Sequence, residues 1–174
     1  VIAVATVAGD APTDEAPELL EELPPNVVAR VVAVRRGDLT ALDDLRSRLA
    51  RFVADPELIF GGPPSAGDGP DGRVRSDPAV GAAMSRMMRE GFRQGTVGYV
   101  EDWVATFQPW GFRLADVHRP ATVWWGDADP FVSRAHADRL ASGIPDARLA
   151  VLPGGGHSIA LTEWRAILAS VEGP

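Results

Sequence analysis

From residue 121 onward the apolar residues change period. An apolar run at 121–125 gives way to a helical pattern over 133–144, with Ser133 as its expected cap. A second apolar run follows at 148–152, then Leu161, Trp164, Ile167, Leu168 and Val171 at helical spacing. Strand, helix, strand, helix is the rhythm of a parallel sheet, because parallel strands need a crossover that is usually helical. The last third of the chain is therefore expected to be a βαβα unit of an α/β fold.

The chain opens on another strand candidate. Residues 1–8, Val1-Ile2-Ala3-Val4-Ala5-Thr6-Val7-Ala8, form a continuous valine-rich run with the composition of a parallel strand covered on both faces. The run lacks a preceding basic segment and is too short to span a bilayer. Starting on a buried strand suggests that a neighbouring strand lies earlier in a longer chain. Between this strand and residue 121 the pattern is mostly helical. Acidic residues and leucines at 13–23 suggest a short helix stopped by Pro24-Pro25, and Asn26 is a plausible cap for a helix over 27–36. Leu39, Leu42, Leu45, Leu49 and Phe52 form one stripe of a helix whose other face is charged. Residues 61–72 are rich in Gly, Pro, Asp and Ser and read as a mobile surface loop. Asp77-Pro78 opens a helix carrying Met84, Met87 and Met88, and another starting near Thr96 places Val100, Trp103, Val104 and Phe107 on one side.

Composition narrows the function. In 174 residues with a net charge of −7 there is no basic stripe to neutralise phosphates, so nucleic acid and anionic membrane are poor partners. With no cysteine, disulfides, thiolate metal sites and a Cys nucleophile are all excluded, and a reducing cytoplasm is the expected setting. His118 and His136 share no short ligand spacing with His157, so neither metal nor cofactor is expected, and structural or solvated roles are their default.

Ligands of open parallel sheets gather at the carboxyl ends of the strands. Asp129 falls just past one such end, and His157, in Gly154-Gly155-Gly156-His157-Ser158, just past the next. A carboxylate at Nδ1 fixes the tautomer of an imidazole and stabilises its charged form, which is what makes a histidine an effective base. Each residue alone has a plain alternative: Asp129 as a turn or capping aspartate before Pro130, His157 as an exposed loop histidine. Asp127 shares that alternative with a weaker claim. The three glycines admit positive φ and close backbone approach; a phosphate cradle is disfavoured because no G-x-x-x-x-G-K-[ST] is present. In the hydrolase order Ser, Asp, His the nucleophile comes first on a G-x-S-x-G turn, and the sequence has none. Ser65 and Ser158 are the substitutes at hand, but neither is expected on a strand-to-helix elbow.

Pro109-Trp110-Gly111-Phe112, Trp125-Gly126-Asp127-Ala128-Asp129-Pro130-Phe131-Val132, Ile144-Pro145-Asp146-Ala147-Arg148-Leu149 and Leu152-Pro153-Gly154-Gly155-Gly156-His157 together resemble the C-terminal part of the α/β-hydrolase superfamily. The resemblance implies a partial α/β-hydrolase fold: residues 1–12 as a core strand, 13–108 as a helical cap, 109–174 as the C-terminal part of the core. It makes Asp129 the triad acid and His157 the base, and it places nucleophile and oxyanion hole before Val1. The implied activity is hydrolysis of a small-molecule ester or amide if the nucleophile is serine, or alkyl-enzyme chemistry if it is aspartate. A non-catalytic binding module of the same architecture is the alternative, and a nucleotide-binding α/β domain a weaker third. An unpaired edge on the short sheet is expected to promote self-association, and the chain by itself is expected to be inactive.

Overall fold

The computed structural model describes residues 2–55, 58 and 69–172. Three strands form one parallel sheet in the order β1-β2-β3: β1 Val4–Val7, β2 Ala121–Gly126 and β3 Ala147–Leu152. Val4 pairs with Ala121 and Val7 with Trp124, while β2 runs in register with β3 from Ala121↔Ala147 to Gly126↔Leu152. The central strand is the buried one, with Val123 and Trp125 at 2% and 8% exposure. All four residues of β1 are half-buried instead of buried as expected, because β1 pairs only with β2 among the described residues. Ala8 leaves β1 with φ 48°, a left-handed conformation that turns the chain towards Asp10.

Residues 8–120, mainly helical chain, separate β1 from β2. A 3₁₀ segment at Pro17–Glu22 leads into α1 (Pro25–Arg35). A second, Leu39–Leu42, leads into α2 (Asp43–Ala54), followed by α3 (Gly69–Arg75), α4 (Pro78–Gly91) and α5 (Val97–Phe107). Asp77 caps α4, its Oδ1 accepting the N–H groups of Ala79 and Val80 at 2.8 and 3.1 Å. Asn26 is no cap: Pro24 occupies that position, and the prolines supply the preset φ that starts α1. The loop reading of 61–72 lies outside the described residues up to 68, and from Gly69 it is overturned. Gly69, Pro70, Asp71 and Gly72 are the first turn of α3.

The remaining helices follow β2 and β3. They are α6 (Arg134–Gly143), α7 (Ile159–Thr162) and α8 (Trp164–Ala169). The single closing helix expected from its stripe is split at Glu163, so Ile159 and Ile167 are buried while Leu161, Trp164 and Leu168 stay exposed. Ser133 precedes α6 without capping it, and its buried Oγ has no partner among the described residues.

Apolar side chains gather in two clusters. One fills the space between the sheet and α6 with Val123, Trp125, Leu140 and Ile144, joined by Leu19 and Leu114. The other ties α1, α2 and α5 through Val34, Leu42, Leu45, Leu49 and Val100, with Phe52 and Phe92 in ring contact at 6.2 Å. Arg35 ties the end of α1 to the end of α5 and to the stretch after β1: its Nε donates to the Phe107 carbonyl at 2.8 Å and its Nη2 to the buried Thr13 hydroxyl at 2.7 Å. The helical segment also reaches the carboxyl ends of the strands, where Asp71 of α3 bonds the loop after β3.

Candidate active site

At the carboxyl end of β2 the chain makes a tight turn, with the Asp129 N–H donating to the Gly126 carbonyl at 3.1 Å. The turn is laced to the loop after β3. Asp127 N–H donates to the Leu152 carbonyl at 3.2 Å, Ala128 N–H to the Gly155 carbonyl at 2.9 Å, and Gly154 N–H to Asp127 Oδ1 at 2.6 Å. The backbones approach so closely that a Cβ on Gly126 would run into the Gly155 carbonyl and the Gly156 oxygen. Gly154 itself sits at φ 68°, where glycine carries no steric penalty.

This lacing puts Asp129 and His157 in contact. His157 Nδ1 lies 3.0 Å from Asp129 Oδ2. The other oxygen, Oδ1, accepts the N–H groups of Phe131 at 2.8 Å and Val132 at 3.1 Å. The Asp129 side chain is inaccessible to solvent, whereas that of His157 is 43% exposed. An ionised carboxylate only accepts, so Nδ1 carries the proton and Nε2 of the neutral ring is left as an acceptor with no partner among the described residues. Phe131 meets the imidazole edge to face at 5.2 Å, limiting its swing.

Burial pushes the Asp129 carboxyl up, but the hydrogen bond from His157 and the amides of Phe131 and Val132 outweigh it and hold the group below its ordinary value. His157 moves the other way. Its hydrogen bond to Asp129 raises it, burial opposes, and the charges of Asp129, Asp71 and Asp10 add to the rise. A raised histidine stabilises the fold fully below its unfolded value of 6.5 and loses that contribution as pH climbs through the folded value. A lowered aspartate contributes above 3.8 and loses it as pH falls through its folded value. The pair therefore stabilises the chain most between 3.8 and 6.5. The urea midpoint should decline above that window, and the decline should be shallower in His157→Gln; equal slopes would contradict the coupling.

The other sequence candidates are placed as follows. Asp127 ties the two loops together and does not face the imidazole ring nitrogen. Ser158 follows the histidine directly, with its N–H bonded to Asp71 Oδ1 at 2.6 Å, and is on no strand-to-helix elbow. Ser65 lies outside the described residues. His118 is exposed ahead of β2. His136 is 4% exposed in α6, where its Nδ1 accepts the Ala11 N–H at 3.0 Å, so the neutral ring holds its proton on Nε2. Asp10 Oδ1 lies 3.6 Å from that same Nδ1. One residue with no sequence signal joins the site: Asp71, whose carboxylate bonds the histidine loop.

Comparison with known proteins places the fold. The structure of Est816, an N-acyl homoserine lactone degrading enzyme, superposes with a TM-score of 0.51 at 23% identity, covering 97% of this chain and 57% of that one. The chain has a partial α/β-hydrolase fold. A hydrolase from Pseudomonas aeruginosa PA01 is similar with a TM-score of 0.49, at 18% identity over 98% of this chain and 54% of that one. The chain thus spans little more than half the length of these α/β-hydrolase structures. In sequence, 123 residues are 35% identical to polyketide synthase ThaQ of Burkholderia thailandensis, covering 69% of this chain and 5% of that protein. No protein-family model matches. Among the described residues no helix is long and apolar enough to cross a membrane.

Proposed function

We propose that this chain is part of an α/β-fold hydrolase that cleaves ester or amide bonds through a Ser-Asp-His type triad, with Asp129 as acid and His157 as base. The nucleophile and oxyanion hole, in this reading, come from a segment preceding Val1. Residues 1–12 and 109–174 supply core elements and 13–108 the cap. The observation that carries the proposal is the 3.0 Å contact between His157 Nδ1 and the solvent-inaccessible Asp129 at adjacent strand ends. Nε2, left free, would take the proton of the attacking hydroxyl and later deliver it to the leaving group, while the buried carboxylate stabilises the imidazolium.

A cavity of about 410 Å³ is lined by the apolar Leu23, Val27, Trp103 and Phe107 and by the polar Asp10, Tyr99, Asp102 and Thr106. It shares Leu23 with a smaller cavity that reaches Asp129 and Phe131. Its apolar half suits an acyl chain, and the carboxylates and hydroxyls of the other half suit a polar portion of the substrate. The likeness of 123 residues to a small part of polyketide synthase ThaQ is the reason to include an acyl thioester among the substrates tested.

The test is hydrolysis of p-nitrophenyl esters and of a short acyl thioester by two forms, the 174-residue chain and a chain extended in frame upstream. Turnover by the extended form, lost in His157→Ala, with only background from the shorter one, is the expected result. An extended form that binds acyl ligands without turning them over would replace the enzyme by a binding module. Turnover by the 174-residue chain would refute the external nucleophile.

A further inference from the structure

We infer that Asp71 is a positioning residue for His157, holding the histidine loop from the helical segment through two main-chain hydrogen bonds. The inference rests on reading Asp129 and His157 as acid and base. Asp71 lies in the first turn of α3, more than eighty positions earlier in the chain. Its Oδ2 accepts the His157 N–H at 3.1 Å and its Oδ1 the Ser158 N–H at 2.6 Å. Both oxygens are thus committed to consecutive amides just ahead of α7, donors that no helical carbonyl can satisfy. Bonds from N–H groups to an ionised carboxylate are among the stronger hydrogen bonds in proteins.

Gly156 supplies an independent sign that the carboxylate is seated there by design of the chain. A Cβ at Gly156 would come within 2.5 Å of Asp71 Oδ2 and 2.7 Å of its Cγ. Only a glycine lets the carboxylate reach the two amides. The glycine run thereby divides its work: Gly154 turns the chain, Gly155 packs against Leu152 and Ile159, and Gly156 admits Asp71.

The mechanical consequence follows from where the constraints act. Asp129 holds the tip of the side chain at Nδ1, and Phe131 blocks its edge. Neither fixes the main chain from which the side chain projects. Asp71 does, and it does so from α3, so a shift of the helical segment would carry the imidazole with it. A displacement of about 1 Å at a reacting group can cost on the order of a hundredfold in rate, which is why such a brace has value. The carboxylates acting on the ring are Asp129, Asp71 and Asp10, so removing Asp71 should also let the His157 pKa fall.

The experiment is amide hydrogen exchange and imidazole titration by NMR on the 174-residue chain, comparing Asp71→Ala, Asp71→Asn and Gly156→Ala. Asp71→Ala should speed exchange at His157 and Ser158 by about tenfold or more, the loss expected for a charge-assisted bond. It should also lower the His157 pKa while β2 and β3 amides keep their protection. Asp71→Asn, which retains one acceptor oxygen, should lose protection at only one of the two amides. Gly156→Ala should reproduce the Asp71→Ala pattern by ejecting the carboxylate, without altering Asp71. The cavity beside Asp71, lined by Pro70, Arg73 and Thr162, leaves room for that displacement. Unchanged exchange at both amides in Asp71→Ala would overturn the inference. Asp129→Asn separates the two ideas: an unmoved His157 pKa there would remove the acid and base reading, whereas the brace is judged by the two amides.

Discussion

Asp129→Asn should lower kcat for ester hydrolysis on the order of 10⁴-fold in a form of the protein that carries the nucleophile, with KM little changed. The asparagine keeps a carbonyl oxygen for the N–H groups of Phe131 and Val132, so the turn ahead of α6 is preserved. What changes is the face offered to the imidazole. An amide NH₂ at the position of Oδ2 would oppose an Nδ1–H, driving the ring to the tautomer with its proton on Nε2, where it can no longer accept one from a nucleophile. Steady-state kinetics with circular dichroism as a fold control measures the effect. A loss of less than about tenfold would show that Asp129 is not the orienting acid. Asp10, also close enough to act on His157, would then be the carboxylate to change.

The second large effect is on stability. Gly126→Ala should destabilise the chain by roughly 3 kcal/mol, the upper end of overpacking costs. The atoms a Cβ would meet belong to the main chain of Gly155 and Gly156, and they cannot swing aside as a side chain would. Relief requires the histidine loop to part from the aspartate turn, which breaks the bonds from Ala128 N–H to Gly155 and from Gly154 N–H to Asp127. Gly154→Ala is the contrasting case, because nothing lies within 4 Å of its added Cβ and only the positive φ is strained. It should cost about 1–2 kcal/mol. Urea unfolding of the two variants gives the comparison, and equal costs would contradict the close approach of the two loops.

Much of this arrangement is legible in the residues. The apolar runs around Val123 and Leu149 and the helical pattern between them dictate a βαβ unit, and the unit itself sets Asp129 and His157 on neighbouring strand ends. The stripe from Leu42 to Phe52 likewise becomes the buried face of α2. Signals that depend on local spacing therefore survive into the fold. Those that depend on distant partners do not. Asp71 stands among glycines and prolines that read as a loop, and its partners are main-chain amides, which leave no mark on a sequence. Ser133 stands at the cap position of α6 with extended backbone yet makes no side-chain bond to the first turn, which its residue type alone does not reveal. The closing stripe breaks at Glu163 because periodicity records which residues could share a face, not whether a surface waits to cover it.

The most direct measurement of the central claim is the NMR titration of the His157 imidazole in the unchanged chain and in Asp129→Asn. In the unchanged chain the ring should titrate above 6.5, with its proton on Nδ1 when neutral. In the variant the pKa should fall and the tautomer should switch. A His157 that titrates identically in both proteins, with the same tautomer, would mean that the carboxylate and the imidazole do not share a proton.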